Sequence, residues 1–415
     1  MLPFVLMLLV AAGPTDRPCP AEVEVARDGA TLSARLAGEA REIWVAGTIE
    51  GDFAAPRAVS LRGCEGATLR GSGTGTVLSL QGDDVLVENV AIERSGVRVS
   101  SEDGALKVSG KRAVVRRVAV RDALYGIALE QCSDCLLEDS RIEGRAQLEA
   151  NQRGDGIKLW EAHGSTVRRN VVRAARDVVV WYSRNVVLED NSIHDGRYGT
   201  HFMYAHDAKV TRNDMRDNTV GIFVMYSARL TAEHNVLAGA RGPAGMGIGF
   251  KESDAITLRD NQLVANTVGV YLDNTPRDPS KPVVFERNLL ALNGVAARMH
   301  GSERGASFHQ NDFRDNERLL EVDGNGDALE VTFEENFWEP YAGYDLDHDG
   351  VGDVAFELKQ PASELRASQP LLRYFHGTAA LGLYDALAMA LPYFGSRLVL
   401  TDPRPRMRPH AEVPR

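Results

Sequence analysis

The 415-residue chain is short of most features that mark a common biochemical class. Positive charge is not in surplus: 47 Lys and Arg stand against 58 Asp and Glu, for a net charge of −11. With no broad basic surface, a general binder of nucleic acid or of anionic membrane is excluded. Aromatic residues are few, at 7%, whereas glycine reaches 39, a balance that suits a turn-rich β protein. Long apolar runs occur in two places only. Met1 to Val10 followed by "AAGP" has the pattern of a signal peptide over residues 1–13, too short to span a bilayer, and implies export. Thr378 to Leu400 is apolar with helical spacing, but Asp385 and Pro392 break it, which excludes a transmembrane span. That stretch needs cover from a partner groove, a membrane interface or the last coil of the fold.

Catalytic patterns are also missing. The sequence suggests no Ser/His/Asp or Cys/His set and contains no phosphate-binding glycine loop. The "GHG" pattern of solenoid glycosidases is absent. Asp155 in "RGDGIKLW" is the obvious acid, with Asp177 and Asp195 near the same edge. No second carboxylate stands at a matching outward strand position beside Asp155, and a carboxylate pair is what glycoside cleavage needs. The sequence therefore reads as that of a protein that is not an enzyme.

What is present is repetition. An Asn followed by apolar residues recurs at Asn170, Asn191, Asn213, Asn235, Asn261 and Asn288, in steps of 21, 22, 22, 26 and 27. Weaker units extend the series through Asn89, Arg117, Asp139, Asn311 and Asn336. Each unit holds a short alternating stretch ("GIKLW", "VVVWY", "THFMY", "IFVMY") and then a second one ("NVVLEDN", "AKVTRN"). Helical periodicity is absent here. So is the leucine-rich pattern that shares the period. Units this small bury too little alone and must stack. The expected fold is all-β: a right-handed, single-stranded parallel β-helix with coils of about 22 residues. It would carry an N-terminal cap and a C-terminal apolar, partly helical segment. The recurring Asn would form an internal turn ladder. The expected organisation is a cap and opening coil over 14–60, repeats over 61–340, an acidic loop over 341–360 and a docking or capping segment over 361–415.

Counting each unit from its first residue as zero, offsets 1 and 3 are apolar and point inward, so offsets 2 and 4 point outward. Offset 4 then reads Trp160, Trp181, Met203, Met225; offset 2 includes His201 and Phe223; and offset 5 adds Tyr182, Tyr204 and Tyr226. An exposed row of this kind marks an interaction surface, for sugar rings or for protein. Thioether and imidazole together suit Cu(I), a soft ion. His201, Met203 and Met225, with His206 just past the strand, are the candidate copper ligands. "DLDHDGVGD" places Asp345, Asp347, Asp349 and Asp353 at positions 1, 3, 5 and 9 of a calcium-type loop, with Gly350 at 6. The acid expected at 12 is replaced by Phe356. A structural Ca²⁺ is the expectation. Four cysteines in an exported chain favour disulfides, most simply Cys19 with Cys64 and Cys132 with Cys135; a soft metal on the CxxC pair is the alternative.

Several of these segments together resemble the NosD family of periplasmic β-helix proteins. The resemblance rests on "GDGIKLW", "VVVWYS", "THFMYAHD", "FVMYS", "GVYLDNTP" and the tail "LTDPRPRM", and spans nearly the whole chain after the signal peptide. It implies an accessory protein in nitrous oxide reductase maturation. Such a protein helps deliver copper or sulfur for the copper–sulfur centre, together with an ABC transporter and a copper donor protein. It also implies that the apolar C-terminal segment docks on the transporter permease. The alternative from the residues alone is a carbohydrate-binding or carbohydrate-cleaving β-helix.

Overall fold

The structure, a computed structural model, describes residues 13–301, 303–323, 326–359, 378–380, 383, 387 and 397–410. Most of the expected signal peptide and most of the apolar C-terminal segment lie outside the described residues. The chain divides into two compact units, 1–246 and 247–415.

The first unit opens on the helix Gly29–Ala37, which starts where the Asp28 carboxylate accepts the Thr31 amide at 2.8 Å. Leu32 and Leu36, four apart, form its buried stripe against the strands Glu42–Glu50 and Phe53–Ala55. From there the backbone winds in parallel coils. A typical coil holds three short strands, as in Asp177–Trp181, Val187–Glu189 and Ser192–His194, each paired in parallel with its counterpart one coil on. The sequence suggested two strands per coil. The third is three residues long and sends one side chain inward (Ile193, then Met215, then Leu237), too few to show alternation. Offsets 1 and 3 do point inward: Ile157, Leu159, Val178, Val180, Phe202, Ile222 and Val224 are all buried. Repeated glycines at offset zero have a steric cause, since a Cβ on Gly199 would lie 2.5 Å from the Gly221 carbonyl oxygen.

The asparagines form the expected ladder. Each of Asn170, Asn191 and Asn213 donates from Nδ2 to the Oδ1 of the next Asn, at 2.9–3.0 Å. The same Oδ1 takes the backbone amide of the Asn below it. Buried turn amides are thus paired by side chains where no backbone carbonyl is in reach. Below Asn170 the rung is Ser140, not Asp139, and below that Val118, not Arg117: Ser140 Oγ takes the Val118 amide. Asp139 and Arg117 are one position early, both at positive φ on the outside of the turn.

The second unit repeats the plan with the strands Val268–Asp273, Val295–Met299 and Leu320–Val322 on one side. Two asparagine ladders run through it, Asn261–Asn288–Asn311–Asn336 and Asn266–Asn293–Asn316. Phe285, Phe308 and Phe333 stack inside. The strand Leu398–Asp402 returns to pair antiparallel with Phe356–Lys359. Asp402, fully buried, accepts the amide and Nδ2 of Asn336 and Nε1 of Trp338. A carboxylate thus closes the end of one asparagine ladder. Cys19 is bonded to Cys64 and Cys132 to Cys135, so neither pair offers thiolate ligands here.

Candidate metal centre and aromatic face

The outward face of the long-strand sheet in the first unit brings the sequence-derived residues into two rows. Register runs Trp160, Trp181, Met203, Met225 along one row and Lys158, Val179, His201, Phe223 along the other. Neighbours in a row are separated by about 4.8 Å of backbone, the spacing of paired strands. His201 is only 7% exposed although it points outward. Its Nε2 lies 3.4 Å from the Met225 sulfur, while its Nδ1 is buried without a hydrogen-bond partner. Burial pushes the imidazole down to about 4, so the ring is neutral at physiological pH with a lone pair to give.

Aromatic rings wall this histidine in. Trp181 meets it edge to face at 5.7 Å, Tyr198 at 5.0 Å, and Phe223 lies at 6.1 Å. Tyr198 stacks on Phe223 and carries the Arg197 guanidinium on its ring at 4.5 Å. Arg197 in turn grips the buried Asp177 with two nitrogens, at 3.0 and 2.5 Å. Sequence reasoning missed Tyr198 and Arg197. They precede the glycine that begins the unit, so the alternation pattern does not reach them. The "RYG" triplet was the available signal.

The copper candidates do not all converge. Met203 lies in register between Trp181 and Met225. His206, by contrast, is past the turn in a separate row, bridged to Arg184 and Ala228. The strand ends at Met203 and Tyr204 adopts positive φ, which turns the chain away before His206. Burial lowers the pKa of His206 as well.

Tyr182, Tyr204 and Tyr226 stack in a column, with centroids 5.3 and 5.1 Å apart and planes within 17°. All three have φ near +50°, a left-handed conformation that costs a residue with Cβ about 1 kcal/mol and normally goes to Gly or Asn. Their faces cover one another, so ring edges are turned outward; Tyr182 and Tyr204 are over 40% exposed. Trp160 extends the column beside Tyr182 and has the Lys158 ammonium over its ring.

The carboxylates that suggested cleavage chemistry are tied down. Asp155 takes two bonds from Arg176, at 2.9 and 3.0 Å, and burial pushes its carboxyl up to about 6. Asp195 pairs with Arg173. In the second unit, Asp345, Asp347 and Asp349 bring ligand oxygens within 4.8 Å of one another. Asp353 instead accepts the Leu346 amide at 2.7 Å. Phe356, at position 12, is core and stacks on Trp338.

A family model described as the periplasmic copper-binding protein NosD matches residues 139–343. The probable ABC transporter binding protein NosD of Pseudomonas aeruginosa is 28% identical over 420 residues, covering 92% of each chain. The protein of the same description from Stutzerimonas stutzeri is 26% identical, covering 91% of this chain and 89% of its own. Among solved structures, the catalytic unit of an α-1,3-glucanase from Streptomyces thermodiastaticus superposes with a TM-score of 0.59 at 16% identity. It covers 80% of this chain and 70% of that one. The A-module of the Azotobacter vinelandii mannuronan C-5 epimerase AlgE6 gives 0.52 at 14%, covering 80% and 99%. At such identities these likenesses show the fold alone, and the class they define with the pairing pattern is the parallel β-helix. Within it, the family match over residues 139–343 and the two relatives, similar over nine-tenths of their length, show a likeness to NosD proteins. No helix among the described residues is long and apolar enough to cross a membrane.

Proposed function

We propose that this chain carries Cu(I) on His201, Met203 and Met225. On this reading it exchanges the ion with partner proteins in the maturation of nitrous oxide reductase, in concert with an ABC transporter. The observation that carries the reading is a buried, neutral imidazole whose Nε2 faces a thioether sulfur at 3.4 Å. Its neighbours are aromatic, and a second thioether stands in register. The donor set fits the ion: imidazole and thioether are soft ligands, and a singly charged ion loses less hydration than a divalent one on entering an apolar site. The family's description as copper-binding and the relatives' description as transporter binding proteins support the same reading. Copper here is cargo, and the protein performs no bond chemistry on it.

The Tyr182–Tyr204–Tyr226 column and Trp160 would form the docking edge for the protein that gives or takes the ion. Sugar binding, the competing reading, needs open ring faces. Here the tyrosine faces are stacked on each other and Trp160 lies under Lys158. Docking of the C-terminal segment on the permease remains part of the proposal; Leu383 and Leu387, one helical turn apart, are both exposed. Asp345, Asp347 and Asp349 are proposed to hold a structural Ca²⁺.

The test is an anaerobic Cu(I) titration of the purified chain against a competing chelator, with His201→Ala and Met225→Ala in parallel. Tight binding that weakens at least tenfold in each variant is expected. Binding kept by both variants would move the site elsewhere. Absent binding would leave a scaffold without cargo.

A further inference from the structure

When Nε2 of His201 takes a metal ion, the proton of the neutral imidazole has to sit on Nδ1. This step rests on the copper reading above. Ligating histidines ordinarily give that proton to a carboxylate, a carbonyl or a water, which fixes the ring. Nδ1 of His201 is buried with no such partner. Around the imidazole are three rings, at different angles to its plane. Trp181 stands at 88° to the imidazole, Tyr198 at 61° and Phe223 at 36°. An N–H lying in the plane of one ring meets the face of another only when the planes are close to perpendicular. Strand order agrees. The strand Tyr198–Met203 pairs with Val220–Met225 on one side and with Asp177–Trp181 on the other. Nε2 reaches to the first, at Met225. The two ring nitrogens point in nearly opposite directions, which turns Nδ1 to the side where Trp181 stands.

We propose that Trp181 is a positioning residue for metal capture, its indole face accepting the Nδ1–H of His201 once Nε2 is the metal ligand. In the metal-free chain the Met225 thioether can only accept, so the proton is on Nε2. On capture the ion takes the Nε2 lone pair and a proton is placed on Nδ1. One proton leaves Nε2 and one joins Nδ1, so none is released in net and no electron moves. The metal draws positive charge onto the imidazole, which strengthens its attraction to the indole face, the best of the aromatic faces for a cation. Soft monovalent ions are therefore captured without a polar second partner having been built into the core.

The experiment is two-bond ¹H–¹⁵N NMR on the full mature chain labelled with ¹⁵N-histidine, metal-free and loaded with Ag(I), a redox-inert stand-in for Cu(I). His201 should show the Nε2–H tautomer without metal and the Nδ1–H tautomer with it, the new N–H proton moved upfield by the indole ring. Trp181→Leu should lower Ag(I) affinity about tenfold, and Trp181→Phe, which keeps a ring face, should restore most of it. A loaded His201 that stays Nε2–H, a metal-free His201 that is already Nδ1–H, or a Trp181→Leu chain that binds Ag(I) like the wild type would each overturn the role of Trp181. The copper site itself would survive the last two results; the first would also take the metal off Nε2 and with it the copper reading. A wild-type chain that binds no Ag(I), or binding that persists in both His201→Ala and Met225→Ala, would overturn the copper reading and this inference together.

Discussion

His201 is the residue at which pH acts on this site. In the unfolded chain its imidazole protonates near 6.5; burial delays this to about 4 in the folded chain. The unfolded state therefore binds more protons between those values. The contribution is fully present above pH 6.5 and is lost as pH falls to 4, by up to about 1.4 kcal/mol per pH unit. Asp155, pushed up to about 6, runs the other way over part of this range, so the wild-type curve alone is a mixture. The difference between wild type and His201→Gln in urea midpoints from pH 7 to 4 isolates the histidine; the variant should lose less stability across it. Asn191 sets a second prediction. Its Oδ1 takes the amide and Nδ2 of Asn170, and its own Nδ2 serves the Val167 carbonyl. Asn191→Ala strips these buried groups at about 1–3 kcal/mol each, and a fall in melting temperature of several degrees should follow.

At the scale of the element, the tyrosine column separates stability from function. Tyr204→Asn removes two stacking contacts, worth about 0.5–1.5 kcal/mol each, and installs a residue at ease with the φ of +51° found there. The terms largely offset. Thermal melts should move by a few degrees at most, while copper exchange with a partner protein should slow and copper affinity should hold. A large drop in stability would make the column a structural prop. The acidic loop gives a parallel case: millimolar Ca²⁺ should raise the melting temperature of the wild type and leave Asp347→Asn unmoved. At this scale the sequence was legible where a period exists. Alternation placed Trp160, Trp181, Met203 and Met225 on one face because strand geometry admits only two faces. It said nothing of Tyr198 or Arg197, which stand before the glycine that opens the unit. It also grouped His206 with His201 by proximity in sequence, although the turn at Tyr204 parts them.

Each unit is held by stacking, since each coil relies on its neighbours for a core, and by closing links at its margins. Cys19–Cys64 ties the N-terminal segment across a separation of 45 residues, and loop-closure entropy puts that link at roughly 4 kcal/mol. Cys19→Ser with Cys64→Ser should lower the stability of the first unit by about that much in guanidinium melts; an unchanged midpoint would mean that the coils close without it. The tail was the segment the sequence explained least. "LTDPRPRM" carried part of the family resemblance and no structural role, yet Asp402 within it is buried and closes the Asn336 rung. A ladder's terminal acceptor has no period of its own and sits 66 residues from its partner, so no local pattern exposes it.

The account turns on which atoms hold the metal. Copper K-edge X-ray absorption on the anaerobically loaded chain measures that directly. One nitrogen and two sulfur scatterers, with one sulfur lost in Met203→Ala and another in Met225→Ala, is the predicted result. A shell of nitrogen and oxygen only, or one unchanged in both methionine variants, would contradict it.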